Sequence, residues 1–211
     1  MPASPEPDCR LCPRLVDFRH ANRDAYPGWH NGSVPSFGDR DASLLIVGLA
    51  PGLKGANRTG RPFTGDFAGD LLYGTLKAFA LARGDYGRRA DDGLSLIGCR
   101  VTNAVRCAPP ANAPTAAEAA ACRRFLAAEI DGMANLKVIL ALGTIAHGAV
   151  VAAVGEKKSA WKFAHHAFHR LPQGLVLADS YHCSRYNTNT GRLTRAMFEA
   201  VFADIMECLG G

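Results

Sequence analysis

The apolar run Leu44 to Val47 is continuous, ends at Gly48 and reads as a strand buried on both faces. From there the segment Leu44 to Asp70, LLIVGLAPGLKGANRTGRPFTGDFAGD, spends about twenty residues on Gly, Pro, Asn, Thr and Arg before apolar periodicity resumes at Phe67. Leu71, Leu72, Leu76 and Phe79 then recur at helical spacing, which predicts a helix from Phe67 to about Ala82. A strand follows from about Ser95 to Val105. Thr115 and Glu118 form a capping box that opens a helix running to about Asp131. Lys137 to Leu142 is a third strand, Gly143 to about Val154 a helix, Leu175 to Asp179 a fourth strand, and Leu193 to Leu209 a closing helix. Before all of these, Pro13 to about Ala25 is expected to be a short helix.

Strand and helix alternate four times. The expected fold is α/β: a three-layer α/β/α sandwich around a mostly parallel four-stranded sheet, in one domain spanning residues 1–211. In such sheets a ligand sits beyond the carboxyl ends of the strands. The loops at those ends are Leu49 to Asp66, Arg106 to Thr115, the Gly143 turn, and Ser180 to Arg192. They are also the polar, glycine-rich and histidine-bearing ones, so fold and chemistry point to one crevice. The first of them carries Lys54, Arg58, Arg61, Phe63 and Asp66. Loops of that length inside a compact domain are usually functional, and this set suits a flat, negatively charged guest.

Apolar residues make up 48% of the chain and charged residues 20%, ordinary for a soluble protein with a sizeable core. The formal charge of +5 is compatible with nucleic acid and equally with simple solubility. No apolar run is long enough for a membrane span, and the N-terminus lacks the apolar core of a signal peptide, so the expected location is cytoplasmic. In a reducing compartment the seven cysteines are unsuited to a disulfide framework. Cys9 and Cys12 form a C-x-x-C pair, while Cys107 lies in a Pro-Pro loop and Cys122 on the following helix. Together they could supply four thiolates to zinc or to a [4Fe-4S] cluster, or be incidental thiols; spacing alone does not separate these.

Four motifs are recognisable together: Gly48-Leu-Ala-Pro-Gly52, Gly60-Arg-Pro-Phe-Thr-Gly-Asp66, Thr102-Asn-Ala-Val-Arg-Cys-Ala-Pro-Pro110, and the segment His182 to Thr194 that begins His-Cys-Ser-Arg-Tyr-Asn. In order and over nearly the whole chain, they resemble the iron-sulfur uracil-DNA glycosylases, and among these family 5, the type B enzymes. The resemblance implies a [4Fe-4S] cluster held by Cys9, Cys12, Cys107 and Cys122. It also implies removal of uracil, and of other deaminated bases such as hypoxanthine, from DNA by a monomeric enzyme that flips the nucleotide out of the stack. Family 4 relatives carry an acidic residue after Gly48. Leu49 stands there in this chain, as in family 5, whose activity is ascribed to the carboxylate of the Phe-Thr-Gly-Asp segment, here Asp66. One departure is Cys183, where the family usually has proline after the histidine.

The resemblance assigns roles as well. Asp66 and His182 are the expected catalytic residues: Asp66 for the sugar cation and the attacking water, His182 for the departing base. Gly48, Ala50, Phe63 and Asn103 are expected to bind the base, Phe63 by stacking and Asn103 by its two-sided amide. Arg58, Arg61, Ser184, Arg185, Tyr186 and Asn187 are expected to contact DNA, with Arg185 or Tyr186 filling the gap left by the flipped nucleotide. Lys157, Lys158 and Lys162 read as further phosphate contacts, and His165, His166 and His169 as a packed or DNA-facing loop. The competing readings are a binder of damaged or abasic DNA without turnover, which the substitutions at 49 and 183 suggest, and a zinc-stabilised nucleotide-binding module.

Overall fold

Every residue of the Leu44–Gly48 strand is buried, because different helical layers cover its two faces. The computed structural model of the chain describes residues 4–210. In chain order its elements are α1 (Pro13–Ala25), β1 (Phe37–Gly38), β2 (Leu44–Gly48), α2 (Ala56–Thr59), α3 (Phe67–Ala78), β3 (Ala82–Arg83), β4 (Ser95–Leu96), β5 (Cys99–Asn103), α4 (Ala116–Asp131), β6 (Val138–Leu142), α5 (Thr144–Ala153), β7 (Phe168–Arg170), β8 (Val176–Ser180), α6 (Arg185–Asn189) and α7 (Arg195–Gly210).

The main sheet has the order β1-β5-β2-β6-β8-β7. Its four inner strands are parallel, with Gly48 opposite Asn103 and Leu142 opposite Ser180, so their carboxyl ends lie in a row. Strand alternation then sorts the side chains. Leu44 and Ile46 of β2 and Val138 and Leu140 of β6 pack against Leu72 and Leu76 of α3 and against Phe198 and Phe202 of α7. Leu45, Val47, Ile139 and Ala141 face the other way, onto Leu126 and Ile130 of α4 and Val150 and Val151 of α5. Burial of each such side chain contributes about 1.5–3 kcal/mol. The three-layer α/β/α architecture is as expected.

The strand count is not. Two short antiparallel strands flank the four expected ones, β1 on β5 and β7 on β8, giving six in the sheet. The expected strand from Ser95 to Val105 is also broken: Gly98 takes φ 62°, and Ser95–Leu96 leaves the main sheet to pair with Ala82–Arg83. Helix α3 stops at Ala78, short of the expected Ala82, since Ala80 adopts φ 57° and frees the chain for that pairing. No helix among the described residues is long and apolar enough to cross a membrane.

A buried polar cluster fastens the β7 edge. Asp179 of β8 is fully buried and accepts from His147 Nδ1 at 2.8 Å and His169 Nε2 at 3.2 Å. The other nitrogen of His147 faces the Trp161 carbonyl at 2.9 Å. Both ring nitrogens of His147 thus face acceptors, which only the doubly protonated ring satisfies. Burial opposes that charge, but the hydrogen bonds to Asp179 and Trp161 outweigh it and raise the His147 pKa. The three histidines of the basic segment take separate partners: His165 Nδ1 accepts from the Tyr181 amide, His166 pairs with Asp204, and His169 with Asp179.

Candidate active site

A cleft of about 660 Å³ opens where β2, β5 and β8 end, lined among others by Leu49, Ala50, Gly52, Gly55, Phe63, Asp66, Asn103, Asn112, His182, Ser184 and Arg185. The chain leaves β2 with two bonds that extend the ladder, Ala104 N to Gly48 O and Val105 N to Leu49 O, both 2.9 Å. It then winds through α2 and returns as Phe63 to Asp66. That return is clamped from outside: Tyr73 Oη donates to Pro62 O at 2.5 Å, Tyr86 Oη to Phe63 O at 3.0 Å, and Thr59 Oγ1 to Thr64 O at 3.0 Å. Held this way, Phe63 adopts φ 52°, a conformation a bulky residue rarely takes. Its ring lies 5.9 Å from the His182 ring at an interplanar angle of 26°.

Gly48 lies directly beneath this arrangement. A Cβ there would meet Phe63 Cζ at 2.4 Å and Asn103 Oδ1 at 2.5 Å, so only glycine admits both side chains. Two further glycines make room for the carboxylate: a Cβ on Gly55 would meet Asp66 Oδ2 at 2.5 Å, and one on Gly52 would meet it at 3.2 Å. Asp66 itself is the N-cap of α3, its Oδ1 accepting from Gly69 N at 3.3 Å. Capping and a place in the cleft, alternatives in sequence terms, coexist, since a carboxylate has acceptor positions to spare. Burial raises the Asp66 pKa, the amides of Gly69 and Ala68 pull it down, and Asp70 adds to the rise; the net shift is upward. Burial alone holds His182 down at about 4, so its ring is neutral over the physiological range.

The His182 loop is braced by its own residues. Asn187 Nδ2 donates to the His182 carbonyl at 2.8 Å, and Ser184 Oγ caps α6 by accepting from Asn187 N at 3.3 Å. Cys183 is fully buried in the α3/α7 core, anchoring the loop by packing where proline would restrict φ. Arg185 lies over the Phe67 ring at 5.3 Å, and Tyr186 is 72% exposed. Arg58, Lys157, Lys158 and Lys162 are exposed as well.

Arg61 overturns an expectation. It is buried, its guanidinium binds Asp92 through two bonds of 2.8 and 2.7 Å, its Nε donates to Thr64 Oγ1 at 2.8 Å, and it lies over the rings of Phe37, Tyr73 and Tyr86. With its donors committed inside the protein it reaches no phosphate; it stiffens the loop carrying Phe63. Asn112 lines the cleft without having been singled out from sequence; it stands in a turn where it and Ala111 both take φ 54°.

The four cysteines come together behind this cleft. Cys9, Cys12, Cys107 and Cys122 line one small cavity with Leu11, Leu15, Val105 and Phe125. Cys12 is the N-cap of α1, Cys107 follows β5, and Cys122 lies on α4, so a group bound to all four would tie the N-terminal segment to the sheet. Burial pushes the Cys107 thiol up to about 12, reinforced chiefly by Cys122 and opposed by Arg19. Among the described residues, the group whose ligand atoms converge within 4.8 Å is His147, His169 and Asp179; no three of the four sulfurs do so. A single zinc would draw its thiolates to about 3.8 Å of one another, from Zn–S bonds of about 2.3 Å. Four thiols on one cavity are a donor set that suits zinc and iron-sulfur centres alike.

A parallel sheet with its cleft at the carboxyl ends, bearing a half-buried carboxylate and a histidine, defines an α/β/α protein with groups suited to acid–base chemistry, and comparison narrows this. The model of the uracil DNA glycosylase superfamily matches residues 35–206, and the chain belongs to that superfamily. Within it the chain falls with the type-5 enzymes. It is 47% identical over 208 residues to the type-5 uracil-DNA glycosylase of Thermus thermophilus, covering 96% of this chain and 94% of that one. The corresponding protein of Mycobacterium leprae is 42% identical over 96% of this chain and 92% of its own. That of Pyrobaculum aerophilum is 38% identical over 89% and 83%.

Proposed function

We propose that this protein hydrolyses the N-glycosidic bond of uracil, and of other deaminated bases such as hypoxanthine, in DNA, leaving an abasic site. The observation that carries the reading is the placing of Asp66, His182, Phe63 and Asn103 on one cleft, in a chain that belongs to this superfamily. The cleft admits a single extruded nucleotide, with the Phe63 ring beside the base and the Asn103 amide at its edge. Bond cleavage builds positive charge on the sugar and negative charge on the base. A neutral His182 retains one ring N–H to donate to the base oxygen without itself carrying charge, and its low pKa keeps it in that form. The Asp66 carboxylate orients and deprotonates the attacking water; its raised pKa makes it a stronger base than an exposed aspartate. Arg185 and Tyr186, exposed at the rim, are placed to fill the space the nucleotide leaves.

The cavity of Cys9, Cys12, Cys107 and Cys122 holds a [4Fe-4S] cluster in this reading, its work being to pin the N-terminal segment to the β5–α4 connection. Incubation of the purified brown protein with an oligonucleotide bearing one uracil, followed by alkali, should cut the strand at that site. Tight binding without scission would instead favour a damage binder, and a colourless protein containing zinc would remove the cluster. Gly48→Ala is expected to cost about 1–3 kcal/mol of stability by overpacking. By displacing Phe63 and Asn103 it should also lower kcat about 10²-fold, as small misplacements of reacting groups do. Denaturant melts and single-turnover rates read the two effects separately.

A further inference from the structure

Among the described residues three arginines are buried: Arg19, Arg61 and Arg106. Two of them have buried carboxylate partners, Arg61 on Asp92 at 2.7 Å and Arg106 on Glu129 at 2.6 Å. Arg19 does not. Its nearest carboxylate is Asp8, 3.9 Å from its Nε, 64% exposed and already paired with Arg23. The Nε is buried without a hydrogen-bond partner, Nη2 donates to the Cys9 carbonyl at 3.0 Å, and Nη1 points to Cys107 Sγ at 3.9 Å. A buried guanidinium is costly without compensating negative charge nearby. Four neutral thiols offer none.

We propose that Arg19 is the counter-cation of the four-cysteine metal centre, its guanidinium hydrogen-bonded to the Cys107 sulfur and offsetting the charge of the ligated thiolates. The inference rests on the metal reading given above. Four thiolates around a [4Fe-4S]²⁺ core carry a net charge of −2, as they would around Zn²⁺; Arg106 also lies near Cys122 but is paired with Glu129, so Arg19 is the buried cation beside them that has no buried carboxylate partner. The N-terminus of α1, whose N-cap is Cys12 and whose Leu15 and Val16 amides turn back onto the Cys12 carbonyl, adds its dipole in the same sense. Partners of this kind outside the ligand set tune both metal affinity and reduction potential. A hydrogen bond to the sulfur and a positive charge beside it favour the more reduced state, so Arg19 protects the cluster from oxidative loss.

The test uses the full chain purified without oxygen, with iron and acid-labile sulfide measured first. In Arg19→Met the one-electron midpoint potential should fall by the equivalent of tenfold or more in the redox equilibrium, about 59 mV. Iron release to a chelator should quicken about tenfold, with Arg19→Lys lying between the two. Should Arg19→Met not fold, Arg19→Gln takes its place, and pulsed EPR of the wild-type cluster, reduced by one electron with dithionite and carrying ¹⁵N-guanidino arginine, should show a nitrogen coupling whatever the variants do. Wild-type protein that holds iron while the variants leave potential and release rate unchanged, or that shows no such coupling, overturns the role of Arg19. Wild-type protein with no metal overturns the metal reading itself, and this inference with it. Were the metal zinc, a roughly tenfold weaker hold in Arg19→Met would sustain the proposal and an equal one would overturn it.

Discussion

Asp66→Asn is expected to fold as the parent does and to lose about 10²–10⁴-fold in kcat, the range a positioned general base contributes. Asparagine caps helices as well as aspartate, so the bond to Gly69 N survives while the carboxylate does not. The stability change has a definite sign. Because burial raises the folded-state pKa of Asp66, the native protein binds more protons at this site than the unfolded chain between the two pKa values. Its stability contribution therefore declines as pH rises through that window, and at neutral pH the ionised side chain is a net cost. Asp66→Asn removes that cost, so its melting temperature at pH 7 should equal or exceed the parent's. Asp66→Ala, lacking the cap, should lose about 1 kcal/mol. In the parent, the acid limb of kcat/KM should lie above the ordinary aspartate pKa of about 3.9 and vanish in Asp66→Asn. No inflection from His182 is expected near pH 6.5, as its pKa of about 4 leaves it neutral there. An Asp66→Asn protein with full activity would move the catalytic base elsewhere.

The framework was legible in the sequence because it rests on local patterns, and the loops at the strand ends followed from it. The apolar run of β2, the periodic leucines of α3 and the Thr115–Glu118 capping box are short-range features, and each recurs in the structure at or near its expected bounds. Long-range pairing was not legible. Phe37–Gly38 and Phe168–Arg170 are too short to show alternation and become strands only because β5 and β8 present free edges to them. Arg61 looked like a phosphate contact since a basic residue in a glycine-rich loop is ordinarily solvated, and its partner Asp92 lies 31 residues away. Asn112 sits in a Pro- and Ala-rich turn whose sequence gives no sign that it borders the cleft. Asp66 could be read from sequence as either a cap or a catalytic group. The glycines at 52 and 55 show why the structure accommodates both, by leaving its second oxygen room in the cleft.

Glu129→Gln should be the most damaging single change away from the cleft. Glu129 lies fully buried on α4, with Arg100 Nε on one oxygen and Arg106 Nη2 on the other, both at 2.6 Å. Arg100 also donates to the Gly38 carbonyl and Arg106 Nη1 to Ser36 Oγ at 2.6 Å, while the Arg106 carbonyl receives Val34 N at 2.7 Å. One carboxylate thus joins α4, β5 and the β1 edge, and Arg106 immediately precedes Cys107. Replacing it by an amide leaves two guanidinium groups without their countercharge and turns an NH₂ toward one of them. Removing one partner of a buried pair costs about 3–5 kcal/mol, a large part of the 5–15 kcal/mol that holds a domain folded. Burial raises the Glu129 pKa, but Arg106 foremost and then Ser36 and Arg100 pull it below the usual range. The stability it supplies is therefore present above the unfolded-state pKa of about 4.3 and is lost as pH falls through the folded value. Urea melts between pH 3 and 7 should show a steeper acid loss in the parent than in Glu129→Gln. In the proposed cluster reading, iron content should fall with stability, because the Cys107 loop hangs from the same ion-pair network. The double variant Glu129→Leu, Arg106→Met should be less destabilised than the two single changes predict, since it removes charge from both sides. Additive losses, or a Glu129→Gln protein within about 1 kcal/mol of the parent, would show that Arg100 and Arg106 find their countercharge elsewhere.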